Sequence, residues 1–311
     1  MTDPSVGAPP SATADRAGPA SSGAGSRRLR AAANYVALIP FHAYVGLFMI
    51  VPTLLVIVGA FTTAQGVFTL DNVSRLFTDE VVGDAFARSI QLAVSTAIAG
   101  AIVGALLAWA VVRGDPEGLL RQLVVAASGV LAQFGGVMLA FAFLATFGIS
   151  GLVTLFLKDT LHLGVLTDPS WIYSLAGLAV VYTYFQIPLM LIVFLPSLDG
   201  LRQEWYDASA SLGGGSWAFW RHVGGPILAP SFLGALLLLF ANAFSAYATA
   251  AALISQGSSI ITLQIADKLQ SEVVIGQENV GKALAFGMII VISVVMLVYA
   301  LIQRRASRWV R

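Results

Sequence analysis

Ser89-Ile-Gln-Leu-Ala-Val-Ser-Thr-Ala-Ile-Ala-Gly-Ala-Ile-Val-Gly-Ala-Leu-Leu-Ala-Trp-Ala-Val-Val112 contains no Asp, Glu, Lys or Arg. A helix needs about 20 mostly apolar residues to cross the hydrocarbon core of a bilayer. Lipid offers the backbone no hydrogen-bond partners, so a run of this kind is expected to be a spanning helix. Working outward, five more stretches read the same way: 35–61, 123–147, 173–195, 231–254 and 283–302. All 17 basic and 16 acidic residues fall between or outside these runs. The expected fold class is an all-α integral membrane protein with six transmembrane helices.

Composition agrees. The 311 residues are 58% hydrophobic and 11% charged, against about 25% charged in an average soluble domain. Mean hydropathy is +0.84. A net charge of +1 implies no basic surface for nucleic acid. With no cysteine there are no disulfides, thiolate metal sites or cysteine nucleophiles. His42, His162 and His222 are far apart in sequence, so no metal site is expected.

Residues 1–34 are rich in Ala, Gly, Ser and Pro and read as a disordered tail. They do not resemble a signal peptide, because the apolar run that follows is too long and has no clear cleavage site. Arg27, Arg28 and Arg30 stand just before that run. With the N-terminus inside, twelve of the 17 Lys and Arg residues fall on inner segments and five on outer ones. That asymmetry places both termini in the cytoplasm. A shorter apolar stretch, 148–157, cannot span and is expected to be an interfacial helix. Gly100 and Gly104 form a G-x-x-x-G, which reads as a site of close helix packing.

The inner segment 196–230 is the most informative connection. Residues 201–212 have helical character, Gly213-Gly214-Gly215 interrupts them, and Ser216 is placed to cap a second short helix. That helix would carry Trp217 and Trp220 on one face. Exposed aromatics on an inner loop suggest a partner surface. The structural alternative is an interfacial helix with its tryptophans among the headgroups.

These residues resemble the EAA loop of ABC importer permeases. The family pattern is Glu-Ala-Ala, three residues, Gly, nine residues, Ile, one residue, Leu-Pro. Here it is met by Asp207-Ala208-Ser209, three residues, Gly213, nine residues, Val223, one residue, Gly225-Pro226. The spacing is kept throughout. Four letters depart: Asp for Glu, Ser for the second Ala, Val for Ile and Gly for Leu. The position between the fourth and fifth spans also agrees. The resemblance covers about residues 35–311, including segments 68–77 and 276–285, and is greatest to permeases of the spermidine/putrescine type.

The resemblance implies a type I ABC importer permease fold in the plasma (inner) membrane, with residues 35–311 as the permease domain and 196–230 as its coupling loop. It implies a subunit that performs no chemistry and carries no cofactor. ATP would be bound and hydrolysed by a pair of separate ATPase subunits. A second permease chain, expected to be a different one, would complete the pathway, and an external solute-binding protein would deliver cargo. The leading cargo is a polyamine; phosphonate, sulfate or molybdate, iron and thiamine are rivals. In the loop, Trp217, Phe219 and Trp220 would be apolar anchors in the ATPase cleft. Asp207 and Arg221 would make polar contacts at its rim, and Gly213 would form the elbow.

Two other motifs point elsewhere. Gly276-x4-Gly281-Lys282-Ala283 approaches a P-loop. A P-loop needs a preceding strand and a Ser or Thr to hold magnesium; Ala283 stands at that position, and the segment is expected on the outer side. Gly148-Ile149-Ser150-Gly151 resembles the surroundings of the serine in rhomboid intramembrane proteases. That chemistry needs a histidine base on a later span, and no later span has one.

The pathway-lining candidates are Gln133, Tyr184, Gln186, Asn242, Ser245 and Thr249. Polar groups within spans tend to face the bundle interior, though interhelical hydrogen bonding explains them equally. Asn242, Ser245 and Thr249 are expected on one face of the fifth span. Pro188 should kink the fourth. No ionisable carboxylate or ammonium lies inside a span, which favours energy from a partner over the proton relay of a secondary carrier.

Overall fold

The structure is a computed structural model that describes residues 39–159, 169–254, 260–270 and 277–306. The tail 1–34 lies outside the described residues, as do His162 and Gly276. The chain divides into two compact units, Met1–Leu54 and Leu55–Arg311.

Within the first unit the described residues belong to an apolar helix, α1 (Ile39–Ala60). Pro52 has no N–H to donate, and the turn before it, Gly46–Ile50, is a π turn.

In the second unit, α2 (Asp71–Thr78) leads into α3 (Glu80–Val112). α3 begins nine residues before the expected span, because the Asp79 side chain accepts a hydrogen bond from the Val81 N–H and caps it. Next come α4 (Leu119–Gln133), α5 (Gly136–Phe147), α6 (Leu152–Asp159) and α7 (Leu175–Asp199). α8 (Gln203–Ser211) and α9 (Ser216–Ser245) follow. α10 (Ala248–Leu253), α11 (Ile261–Gln270) and α12 (Glu278–Ala306) complete the described chain. Among the described residues there is no strand, only one isolated bridge between Thr62 and Phe68.

Six stretches are long and apolar enough to cross a membrane: Ile39–Ala60, Glu80–Val112, Gly136–Asp159, Leu175–Asp199, Ser216–Ser245 and Glu278–Leu301. The expected number is met, but two of the expected spans are not single helices. The third, read as 123–147, is broken at Phe134-Gly135. Gly136 there has φ +70°, a conformation glycine adopts without a Cβ penalty. The fifth, read as 231–254, is broken at Ala246-Tyr247, and its helix starts at Ser216, well inside the segment read as a loop. The stretch 148–157 is a turn at Gly148–Gly151 followed by α6, continuing the apolar segment that starts at Gly136.

The centre of this unit is the contact between α3 and α7. Lipid tails are as apolar as leucine, so close backbone approach supplies what hydrophobic exclusion supplies in water. Ala93, Ala97, Ala101 and Ala108 are all buried on α3. A Cβ at Gly100 would lie 2.6 Å from the Gln186 Cβ, and one at Gly104 would lie 2.6 Å from the Met190 Cβ. The G-x-x-x-G is therefore a packing motif. α7 runs without interruption through Pro188 and Pro196. Toward one end of the bundle, the Asn72 and Asn279 side chains both donate to the Thr62 carbonyl, at 2.9 and 2.8 Å. Those bonds tie α2 and α12 to the segment that follows α1.

Candidate functional site: the loop helix and the paired helix breaks

The segment between α7 and α9 folds into a compact elbow. α8 ends at Ser211, Gly213 takes φ +81°, and the Gly214 N–H closes on the Ser209 carbonyl at 2.9 Å. The residue at the N-cap of α9 is Gly215, so Ser216 does not cap that helix as expected. Instead its hydroxyl meets the Tyr206 hydroxyl at 3.1 Å and joins the two helices. Phe219 is only 5% exposed. It packs edge-on against Tyr206 and Trp220, with centroids 5.3 and 5.6 Å away. Its side chain is thus the hub of the elbow and is not available as an anchor.

What the elbow presents outward is Trp217, 75% exposed, and Leu212, 90% exposed. Trp220, expected on the same face as Trp217, is half-buried. Asp207, Ala208 and Arg221 are exposed, Ser209 and Val223 are half-buried, and Pro226 is exposed. The Asp207 carboxylate accepts from Gln203 Nε2 at 3.3 Å. Leu212 was not among the expected site residues. Its signal in the sequence is an isolated apolar residue directly before Gly213-Gly214-Gly215. Tyr206 was also missed, because its role depends on a contact that only the folded elbow creates.

The elbow is joined directly to a span. α9 is continuous over 30 residues, with one π turn at Trp220–Gly224. At 1.5 Å per residue it is about 45 Å long. Nearby, Arg121 at the start of α4 and Asp199 at the end of α7 form a 2.6 Å ion pair.

At its far end, α9 stops at the second helix break, and the two breaks lie side by side. Thr249 Oγ1 donates to the Gly136 carbonyl at 3.1 Å. The Tyr182 hydroxyl donates to the Ala246 carbonyl at 2.8 Å, and Thr262 Oγ1 does so at 3.4 Å. Broken helices are tolerated at membrane depth where the freed backbone groups are satisfied or line a cavity. Here the Ala246 carbonyl is satisfied and the breaks border a cavity. A cavity of about 270 Å³ opens between the breaks, lined by Gln133, Gly136, Phe185, Asn242, Tyr247 and Thr249, among others.

Of the pathway-lining candidates, the structure brings Gln133, Asn242 and Thr249 together at this cavity. Ser245 is not with them. The break after it ends the shared face, and its hydroxyl bonds back to the Ala241 carbonyl at 2.8 Å. Gln186 is fully buried, and its Nε2 donates to Thr96 Oγ1 at 2.8 Å across the α3–α7 contact. Helix packing takes it, with its Oε1 left without a hydrogen-bond partner among the described residues. Tyr184 lies apart, beside a mostly apolar cavity of about 500 Å³ with Ser95, Thr96 and Phe143. Phe185 and the glycine backbone at 135–136 were missed as lining residues.

Ser150 sits in the turn between α5 and α6, while His222 Nδ1 lies 3.0 Å from the carbonyl of Ala218 in its own helix. The pair of groups that serine protease chemistry requires is not assembled by those two residues. Among the described residues no cluster of three or more His, Asp or Glu side chains is placed to hold a metal ion.

No protein-family model matches the sequence, and no curated protein matches it. Solved structures do. One is a chain of a bacterial ABC transporter involved in the import of the acidic polysaccharide alginate. It has a TM-score of 0.71 at 18% identity, over 90% of this chain and 98% of that one. The fold is that of an ABC transporter permease. A second is a bacterial alginate ABC transporter in complex with a periplasmic protein carrying an alginate pentasaccharide. It has a TM-score of 0.70 at 18% identity, over 90% of this chain and 96% of that one.

Proposed function

We propose that this chain is the permease subunit of an ATP-driven importer, multi-pass in the plasma (inner) membrane with both termini cytoplasmic. The observation that carries the proposal is the elbow. Two large apolar side chains, Trp217 and Leu212, project from a rigid, internally packed turn that is continuous with a span. Largely exposed apolar side chains on a fixed scaffold are typical of docking anchors. The partner they fit is an ATPase subunit. Closure of an ATPase pair would move the elbow, and α9 would carry that displacement about 45 Å to the break at Ala246-Tyr247. A second permease chain, taken to be different from this one, completes the pathway, and a solute-binding protein delivers cargo outside. Residues 35–311 form the permease domain, and this subunit hydrolyses nothing.

On cargo, two lines of support part. The loop resemblance supports a polyamine, with phosphonate, sulfate or molybdate, iron and thiamine as rivals. A saccharide is the second reading, supported by the cargo of the two structural neighbours, the acidic polysaccharide alginate.

Purification in mild detergent, with mass spectrometry of co-eluting chains, tests the assembly. An ATPase, a second six-span chain and a binding protein are expected, and elution alone from several detergents would overturn the proposal. Uptake of labelled spermidine and of an alginate oligosaccharide, in cells with and without this chain, decides the cargo.

A further inference from the structure

Arg121 and Asp199 each sit at the wrong end of their own helix. α4 opens on Gly118 without a side-chain cap, and its first turn carries Arg121 and no acid. α7 closes on Asp199, with no basic residue in its last turn. The partial charges at helix ends favour acids at the start and bases at the finish, so each residue opposes the helix that carries it. Local choices of this kind tend to mark function. Each suits the other helix instead. Arg121 Nη2 and Asp199 Oδ2 stand 2.6 Å apart, although 78 positions separate them in sequence. Arg88–Asp84, at 3.6 Å, and Arg202–Glu204, at 3.9 Å, join near neighbours.

The side chains are 19% and 39% exposed. A pair this open to water adds little stability. What it connects matters more. Asp199 is the last helical residue before the elbow. The Gly200 and Leu201 N–H groups turn back onto the Pro196 and Leu198 carbonyls, at 3.2 and 3.1 Å, so α8 starts from a short, fixed base. Arg121 stands at the near end of α4, which packs along α7. α4 then runs unbroken for 15 residues, about 22 Å, to the break at Phe134-Gly135. That break is bonded to the one that ends α9, through Thr249 Oγ1 and the Gly136 carbonyl at 3.1 Å. The elbow, α9, the paired breaks, α4 and the ion pair therefore close a ring. Displacement carried by α9 alone would shear the Thr249–Gly136 bond.

We propose that Arg121 and Asp199 are positioning residues that clamp α4 to the base of the elbow, so that α4 moves with the elbow and both breaks shift together. The source of that movement rests on the importer reading; the clamp itself does not.

The chain has no cysteine, so spin labels can be placed at Gly129→Cys on α4, which faces open space, and at Ala210→Cys, exposed on α8. The full chain, with whatever co-purifies, is held in lipid nanodiscs, and pulsed electron resonance reads the distance between the labels. The native background is compared with Arg121→Gln, Asp199→Asn, and the exchanged pair Arg121→Asp with Asp199→Arg. The exchange suits both helix ends, so it should fold at least as well as the native chain. A narrow distance distribution is expected in the native background, its loss in both single variants, and its recovery in the exchange. General loosening would not be reversed by a second substitution. Single variants as narrow as the native chain would overturn the proposal, and so would an exchange as broad as the singles. ATP with vanadate, which locks a closed ATPase pair, then tests the movement. The native and exchanged chains should keep their distance while the single variants shift; a shift in the native chain would overturn the proposal. If no ATPase co-purifies and nucleotide moves nothing, the importer reading falls and the distributions alone decide the clamp. A nucleotide response with equally narrow distributions in every background would keep the importer and remove the clamp.

Discussion

The elbow and the paired helix breaks both leave side chains exposed, apolar ones at the first and polar ones at the second. At the elbow, Trp217 and Leu212 stand in the open while the polar neighbour Ser216 is taken up by Tyr206. At the breaks, Gln133 and Asn242 are exposed and make no hydrogen bond to a described residue, while hydroxyls hold the Gly136 and Ala246 carbonyls beside them. Each set stands on a packed framework. Phe219 stacks the elbow together, and hydroxyls pin both breaks. On the proposed reading, the exposed groups at the two ends of α9 would meet an apolar partner at one end and a polar cargo at the other.

The largest effect should come from the elbow. Replacing Trp217 and Leu212 together with Asp should lower transport at least about 100-fold, since central apolar anchors contribute about 2 kcal/mol or more each. Both side chains touch little of their own chain, so insertion and thermal stability should be unchanged. Phe219→Ala should behave differently and loosen the elbow itself. If the double variant transports normally while Phe219→Ala does not, the elbow is only a structural turn. Gly213→Pro should also abolish transport, because proline is fixed near φ −65° and Gly213 requires +81°.

Much of this was legible in the residues. The charge-free runs gave the number of spans, because lipid leaves a backbone no alternative to a helix. The spacing from Asp207 to Pro226 located the elbow. The helix breaks were harder to read. Phe134-Gly135-Gly136 carries a visible glycine pair, but glycine is common within spans and here usually marks packing, as at Gly100. Ala246-Tyr247 carries no breaker at all; that break exists because Tyr182 and Thr262, distant in sequence, satisfy the Ala246 carbonyl. The same limit moved Gln186 from the pathway to the packing. Its hydrogen-bond partner, Thr96, lies 90 residues away.

A middle-sized effect separates packing glycines from idle ones. Gly100→Leu would drive a side chain into Gln186 and Leu239 on neighbouring helices. Overpacking of this kind costs about 1–3 kcal/mol. Gly129→Leu, on α4, has open space and should be neutral or slightly stabilising. Thermal unfolding in detergent reads both. Equal melting temperatures would show that the α3–α7 contact is looser than its geometry, and the contrast between a rigid framework and its two open sites would weaken.

The smallest effect tests whether the break is held by two hydroxyls or by one. Tyr182→Phe removes the 2.8 Å donor to the Ala246 carbonyl but keeps the ring against Phe185. A single neutral hydrogen bond is worth about 0.5–1.5 kcal/mol, and the longer bond from Thr262 Oγ1 remains to satisfy the carbonyl. The loss for Tyr182→Phe alone should therefore sit at the low end of that range, and Thr262→Val alone should cost less still. Removing both leaves the carbonyl bare, and the cost of an unsatisfied buried acceptor is then felt in full. The double variant should lose more stability than the two singles combined, by about 0.5–1 kcal/mol of coupling in a double-mutant cycle. Strict additivity would mean that water already reaches the Ala246 carbonyl. The break would then be a wet hinge, and the cavity beside it would owe its shape to solvent as well as to Tyr182.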